Sequence, residues 1–155
     1  MDVVRQADSA DAEAIGQLLH DFNTEYHEPT PGPEVLAERV RDLLAGDEIT
    51  VLLTPLSGDP FGVAVLRFRP SLWSDALECY LAELYVRPER RRHGLGRALM
   101  EAAIDVARER GADYMELGTG EDDTAARALY ESLGFSHRGG KAEGPVNYFY
   151  ERELL

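Results

Sequence analysis

Hydrophobic and polar positions keep two different periods along this chain, and the changes between them mark its elements. Val3-Val4-Arg5 reads as a short strand, and Asp8 or Ser9 can cap a helix whose apolar positions Ile15, Leu18, Leu19 and Phe22 keep helical spacing. Pro29, Pro31, Gly32 and Pro33 interrupt that pattern. A second amphipathic helix runs through Leu36, Val40, Leu43 and Leu44 and ends at Gly46. Ile49 to Leu53 and Phe61 to Phe68 are strand-like, joined by Pro55-Leu56-Ser57-Gly58-Asp59-Pro60, which has the composition of a hairpin connection. A third strand is predicted from Leu77 to Val86. The pattern then alternates: helix from Leu95 to Arg110, strand from Tyr114 to Leu117, helix from Thr124 to Leu133, and a final strand from Val146 to Arg152. Gly111 and Gly134 fall where helix C-terminal caps belong. Hairpins followed by a strand–helix–strand crossover predict an α/β (α+β) fold, a central mixed, mostly antiparallel sheet flanked by helices. With no repeat and no dividing linker, residues 1–155 are expected to form a single domain.

Composition narrows the class. With 44% hydrophobic and 29% charged residues the chain has the balance of a soluble globular protein. No run of about 18 apolar residues is present, so a membrane-spanning helix is not expected. The first residues, Met-Asp-Val-Val-Arg-Gln-Ala-Asp, lack the basic and apolar blocks of a secretory signal. One cysteine, Cys79, permits no internal disulfide, and the cytoplasm is the expected compartment. His20, His27, His93 and His137 show no metal-ligand spacing, so no metal is expected. The net charge of −13 argues against nucleic acid as a partner and is compatible with a cationic substrate, although acidity also serves solubility alone.

Against that acidic background Arg87, Arg90, Arg91, Arg92, His93 and Arg97 crowd together, and a local positive patch suits a local anion. Pro88 ends the preceding strand, and Gly94 and Gly96 open a helix whose apolar face is Leu95, Leu99, Ala102, Ala103 and Val106. N–H groups in a helix's first turn have no internal acceptor, the helix dipole adds partial positive charge there, and glycines let an anion approach the backbone. The combination fits a phosphate group. A Walker A loop would continue with Lys-Ser/Thr, where Arg97-Ala98 stand; a dinucleotide fingerprint would require Gly or Ala where Leu99 stands.

The spacing Arg91-x-x-Gly94-x-Gly96 resembles the pyrophosphate loop of the GNAT-superfamily N-acetyltransferases. Leu84-Tyr85-Val86-Arg87-Pro88-Glu89 resembles the strand leading into it. Ala126-Arg-Ala-Leu-Tyr130-Glu-Ser-Leu-Gly134-Phe135 resembles the family's late helix, and the element order is similar over nearly the whole chain. The resemblance implies acetyl-CoA as cosubstrate. Its pyrophosphate would lie on Arg91, Arg92, His93, Gly94, Leu95, Gly96, Arg97 and Ala98. Its pantetheine arm would lie along Leu84, Tyr85 and Val86, in a splay between the Leu77–Val86 and Tyr114–Leu117 strands. Asp123 and Ala126 would also lie against it, with Asp123 standing where many relatives carry Asn.

Two residues are expected to carry the chemistry. Glu83 lies in Tyr80-Leu-Ala-Glu-Leu-Tyr-Val86, where simple alternation gives it Leu81 and Tyr85 as same-face neighbours. Apolar surroundings would raise its pKa towards the range of a general base, and an alkylamine with a pKa of about 10 must lose a proton before it attacks a thioester. Its position resembles that of the acidic residue in spermidine/spermine and some aminoglycoside acetyltransferases. Glu78 is the reserve. Tyr130 is the general acid that the resemblance implies, a phenol that can protonate the departing thiolate. Cys79 shares strand parity with Glu83, which would suit an acetyl-cysteine intermediate, but reads as a core cysteine rather than a nucleophile. Asp21, Glu25 and Glu28, interleaved with Phe22 and Tyr26, could line an entrance for a cationic acceptor, with the loop around Trp73 completing that pocket. The expected reaction is direct acetyl transfer to a small polar or polycationic amine such as an aminoglycoside or polyamine. Protein or peptide amino groups, a non-catalytic CoA-binding sensor and a nucleotide-binding regulator are the alternatives. The exposed last strand makes a homodimer an expectation too.

Overall fold

A computed structural model describes residues 3–155, in two compact units that divide after Met115. The first unit begins with β1 (Arg5–Gln6) and a 3-10 turn over Ser9–Asp11. Asp8 caps that turn by accepting from the Ala10 N–H, and Asp11 reaches back to the Asp8 N–H. Helices α1 (Ala12–Glu25) and α2 (Pro33–Leu44) follow, then β2 (Ile49–Thr54), β3 (Gly62–Pro70), β4 (Leu77–Val86), α3 (Leu95–Glu109) and β5 (Ala112–Glu116). The sheet order is β1-β2-β3-β4-β5, antiparallel from β1 through β4. The Leu77 N–H donates to the Gly111 carbonyl, so β4 and β5 begin side by side, as a crossover through α3 requires.

Cross-strand partners point to the same side of a sheet, and that rule separates the two layers. Ile49, Val51, Leu53, Val63, Val65 and Tyr85 face α1 and α2, packing with Ile15, Leu18 and Val40. Leu52, Ala64 and Leu66 face the other way, the side on which α3 buries Leu99, Met100 and Ala103. With both faces covered, β2 is buried at every position. This accounts for its unbroken apolar run where a half-exposed strand would alternate.

Helices α1 and α2 meet at Gly16. A methyl group there would stand 2.6 Å from the Pro33 carbonyl oxygen and 2.8 Å from the Ala37 nitrogen, both backbone atoms that cannot move without the helix. Gly16→Ala should therefore reverse the usual gain of about 1 kcal/mol for alanine in a helix. A net loss of about 1–2 kcal/mol is expected from overpacking, read as a lower urea midpoint at unchanged slope.

The second unit holds α4 (Thr124–Ser132). The strand expected from Val146 to Arg152 is not formed, and residues 146–155 have no regular structure. Tyr148, Phe149 and Tyr150 have the composition of a strand, yet they are 77%, 72% and 88% exposed. β-propensity of this kind reflects packing on a pleated surface, and without that surface it specifies nothing. The expectation of a homodimer through this strand loses its structural basis.

Candidate active site

The carboxyl end of β4 turns through a 3-10 turn, Pro88–Arg90, into the start of α3. Two residues in that loop take left-handed backbone angles, Arg92 at φ 69° and Gly94 at φ 76°. A side chain at Gly94 would meet nothing within 4 Å, so the residue is required for its conformation and leaves the approach to the helix start open. The first backbone bond of α3 runs from the Ala98 N–H to the Gly94 carbonyl. The N–H groups of the turn before it are left for a ligand or solvent, with the helix dipole behind them.

The arginines of this segment divide into two kinds. Arg87 donates to Asp21 at 2.6 Å, Arg91 pairs with Glu25 at 2.8 Å, and Arg90 lies over the Phe61 ring. Arg91 also donates through Nε to the Val86 carbonyl, closing the loop onto its own strand. Arg92 and His93 are exposed, and Arg92 has no ion-pair partner among the described residues. Arg97 reaches Glu101 one helical turn along. The face offered to an anion is thus the Arg92 guanidinium, the exposed His93 ring and the backbone of Gly94, Leu95, Gly96 and Arg97, while Arg87 and Arg91 hold the loop to α1.

Asp21 and Glu25 consequently do not line an open cation entrance. Both carboxylates are occupied, and of the expected three only Glu28 stands exposed without such a partner. The spacing of four residues that puts Asp21 and Glu25 on one face of α1 was visible in the sequence; their partners were not. Glu25 also accepts from the Tyr85 hydroxyl at 3.0 Å, and Tyr85 stacks on Phe22 at 4.9 Å between ring centres. Burial and the carboxylate together push the Tyr85 phenol up to about 12. Tyr85 can therefore offer a ligand only its backbone.

Hydrogen bonding to Arg91 holds the Glu25 carboxyl below its usual range, against the opposing effect of burial. A depressed carboxylate contributes stability above its unfolded pKa, near 4.3, and loses it as pH falls through the folded value. Glu25→Gln should cost about 1 kcal/mol at pH 7, discounted because both partners are partly solvated. Urea melts at pH 7 and pH 3 should show that difference closing in acid.

Glu83 occupies an irregular place in β4. Val65 pairs with Glu83 and Leu66 with Leu81, so Ala82 is an extra residue bulged out of the ladder. The bulge reverses the faces expected from alternation. Glu83 shares the α1/α2 side with Val65 and Tyr85, whereas Leu81 and Cys79 lie on the α3 side with Leu66 and Phe68. Cys79 is therefore not a neighbour of Glu83, and burial pushes its thiol up to about 11. A thiol so buried is inert as a nucleophile. Burial likewise raises the Glu83 carboxyl, opposed by the charge of Arg67. Glu78 is on the same face but bonded to Arg69 at 3.0 Å, which removes it as the reserve base. Trp73, in the connection between β3 and β4, is 91% exposed.

In the second unit Asp123 caps α4 by accepting from the Ala126 N–H at 3.2 Å. Tyr130 is buried, its ring edge-on to Phe135 at 6.2 Å, and the Phe135 N–H donates to the Tyr130 carbonyl. Burial, then the Asp123 charge, raises its phenol pKa. The hydroxyl stays protonated at neutral pH, the state a proton donor needs.

Among the described residues no group of His, Cys, Asp or Glu is arranged to hold a metal, and no helix is long and apolar enough to cross a membrane. Residues 12–135 match the model of the acetyltransferase (GNAT) family. The chain is 30% identical to the N-acetyltransferase YhfO of Bacillus subtilis (strain 168) over 139 residues, 88% of this chain and 91% of that one. It shares 46% identity over 59 residues with the ribosomal protein bS18-alanine N-acetyltransferase of Escherichia coli (strain K12), 38% of this chain and 40% of that one. The crystal structure of a protein assigned as an acetyltransferase from Arthrobacter sp. FB24 superposes with a TM-score of 0.88 at 46% identity, covering 99% of this chain and 97% of that one. The chain belongs to the GNAT family of acetyltransferases and is an N-acyltransferase, of a family that generally uses acetyl-CoA.

Proposed function

We propose that the 155 residues act as one acetyltransferase domain, moving an acetyl group from acetyl-CoA to the primary amine of a small acceptor by direct transfer. The observation that carries this reading is the bulge at Ala82. It sets a half-buried carboxylate, Glu83, on the α1/α2 side of β4, three residues before Val86, where the strand gives way to the loop that leads to the open N-terminus of α3. Arg92, His93 and the backbone from Gly94 to Arg97 bind the pyrophosphate, the Ala98 N–H being taken by the Gly94 carbonyl. The β4 backbone from Leu84 to Val86 takes the pantetheine arm beside β5, and Asp123 and Ala126 are carried as cofactor contacts by the family resemblance alone. The fit rests on the exposed loop cations and on the unobstructed approach at Gly94.

Glu83 accepts the proton of the acceptor ammonium, directly or through water. The freed nitrogen lone pair forms the new C–N bond at the thioester carbonyl, whose oxygen the β4 backbone amides stabilise. As the C–S bond breaks, Tyr130 gives its proton to the thiolate and regains one through solvent as the second amine proton leaves, so that the net proton released is the one Glu83 took. The structural support for a polycationic acceptor is reduced, because Asp21 and Glu25 are already neutralised by arginines. Free-thiol release from acetyl-CoA across a panel of amines tests the reading. Acceptor-dependent release that requires Glu83 and Tyr130 is expected; CoA binding with no release on any amine would replace it by a sensor.

A further inference from the structure

The α1/α2 face of the sheet carries a second charged group beside Glu83. Val65 stands opposite Glu83 and Arg67 opposite Tyr80, so Arg67 and Glu83 are diagonal neighbours on one face. In a regular ladder diagonal neighbours stand roughly 7–8 Å apart, within reach of two long side chains, and here the bulge at Ala82 lies between the two pairs. The next arginine on this face, Arg69, is bonded to Glu78, and Arg5, Arg87 and Arg91 each hold a carboxylate. Arg67 is exposed and has no hydrogen-bond or ion-pair partner among the described residues. It is close enough for its charge to act on the Glu83 carboxyl.

We propose that Arg67 is a specificity-determining residue, which selects acceptors carrying a carboxylate within a few bonds of the amine that Glu83 receives. The proposal rests on the acetyltransferase reading above and names its acceptor class: a small zwitterionic amine of amino-acid type. A guanidinium takes a carboxylate through paired, charge-assisted hydrogen bonds. A polyamine or aminoglycoside would instead set a second cation against Arg67, and that repulsion selects against it. The pair also couples binding to catalysis. Arg67 makes Glu83 a weaker base than burial alone would. An acceptor carboxylate on Arg67 neutralises that charge, so Glu83 gains basicity when the amine is in place.

Matched pairs of acceptors test this: lysine and cadaverine, phenylalanine and phenethylamine, γ-aminobutyrate and propylamine. They would be assayed with the wild type, Arg67→Gln, Arg67→Lys and Glu83→Gln. In the wild type the carboxylated member should be preferred by about 10-fold or more in kcat/KM. Arg67→Gln should collapse the ratio towards one, mainly through KM, and Arg67→Lys should restore part of it. With the amines that lack a carboxylate, the acid limb of kcat/KM should move to higher pH in Arg67→Gln, because the cation opposing protonation of Glu83 is gone. A merely structural arginine would move neither the ratio nor the limb. Equal or better use of the decarboxylated amines by the wild type overturns the proposal, as does an undiminished ratio in Arg67→Gln. Turnover of none of the six compounds also overturns it, while release with other amines would leave the acetyltransferase reading standing. Conversely, a carboxylate preference that depends on Arg67 but survives Glu83→Gln removes only the base assignment.

Discussion

Replacing Glu83 by glutamine is expected to lower kcat/KM about 10²–10⁴-fold while making the fold more resistant to unfolding at neutral pH. The two effects have one cause. Burial raises the Glu83 carboxyl above its ordinary value, against the charge of Arg67, so the folded protein holds that proton to higher pH than the unfolded chain does. Below the unfolded pKa, near 4.3, the group is neutral in both states and costs nothing. As pH rises the unfolded chain ionises first, stability falls, and the cost levels off above the folded pKa. Glutamine is neutral throughout, so its advantage should be absent at pH 3 and present at pH 7, read by paired thermal melts. Activity should respond in the opposite sense: the wild type loses kcat/KM in acid as Glu83 protonates, and Glu83→Gln has no such limb. A variant that keeps most of its activity, or that loses activity together with stability at pH 7, would sink the assignment. A buried carboxylate that lowers stability is the pattern of a group kept for chemistry.

The placement of Glu83 also shows what the sequence could and could not reveal. Alternation along Tyr80-Leu-Ala-Glu-Leu-Tyr-Val86 identified a strand with the correct ends, Leu77 and Val86. It placed Tyr85 on the face of Glu83 correctly but Leu81 and Cys79 wrongly, because an extra residue at Ala82 is a property of the pairing with β3 and leaves no mark in one strand's composition. Helices α1, α2 and α3 were legible for a local reason: caps and apolar spacing are written within each segment. The loop that opens α3 was legible too, since left-handed Gly94 and the helix that follows it form a local unit. What stayed hidden were the partners across long separations. Nothing near Arg91 says that Glu25 holds it, and nothing near Arg67 says that Glu83 is its diagonal neighbour. The segment Val146–Arg152 failed in the other direction, its tyrosines and phenylalanine promising a strand that has no ladder to join.

Tyr130→Phe should lower kcat about 10²-fold and kcat/KM by the same factor, with the KM for acetyl-CoA little changed. Phenylalanine keeps the ring that meets Phe135 edge-on, so packing within the second unit is retained and only the hydroxyl is lost. The raised phenol pKa keeps the wild-type proton in place through neutral and mildly alkaline pH. Any alkaline limb of kcat due to this group should therefore lie above pH 10, the ordinary value for tyrosine, and vanish in the variant. No stability difference tied to its ionisation is expected at pH 7, where the phenol is neutral folded and unfolded. The leaving group gives the discriminating measurement. A thiol of ordinary pKa, near 8.5, leaves more readily when protonated as it departs. Thioesters of more acidic thiols need that proton less, so the deficit of Tyr130→Phe should shrink as the thiol becomes more acidic. If Tyr130 serves only to pack against Phe135, the phenylalanine variant turns over within about 2-fold of the wild type, and the deficit does not depend on the thiol. The first outcome makes Tyr130 the acid that completes the transfer begun at Glu83; the second leaves the thiolate to be protonated by water.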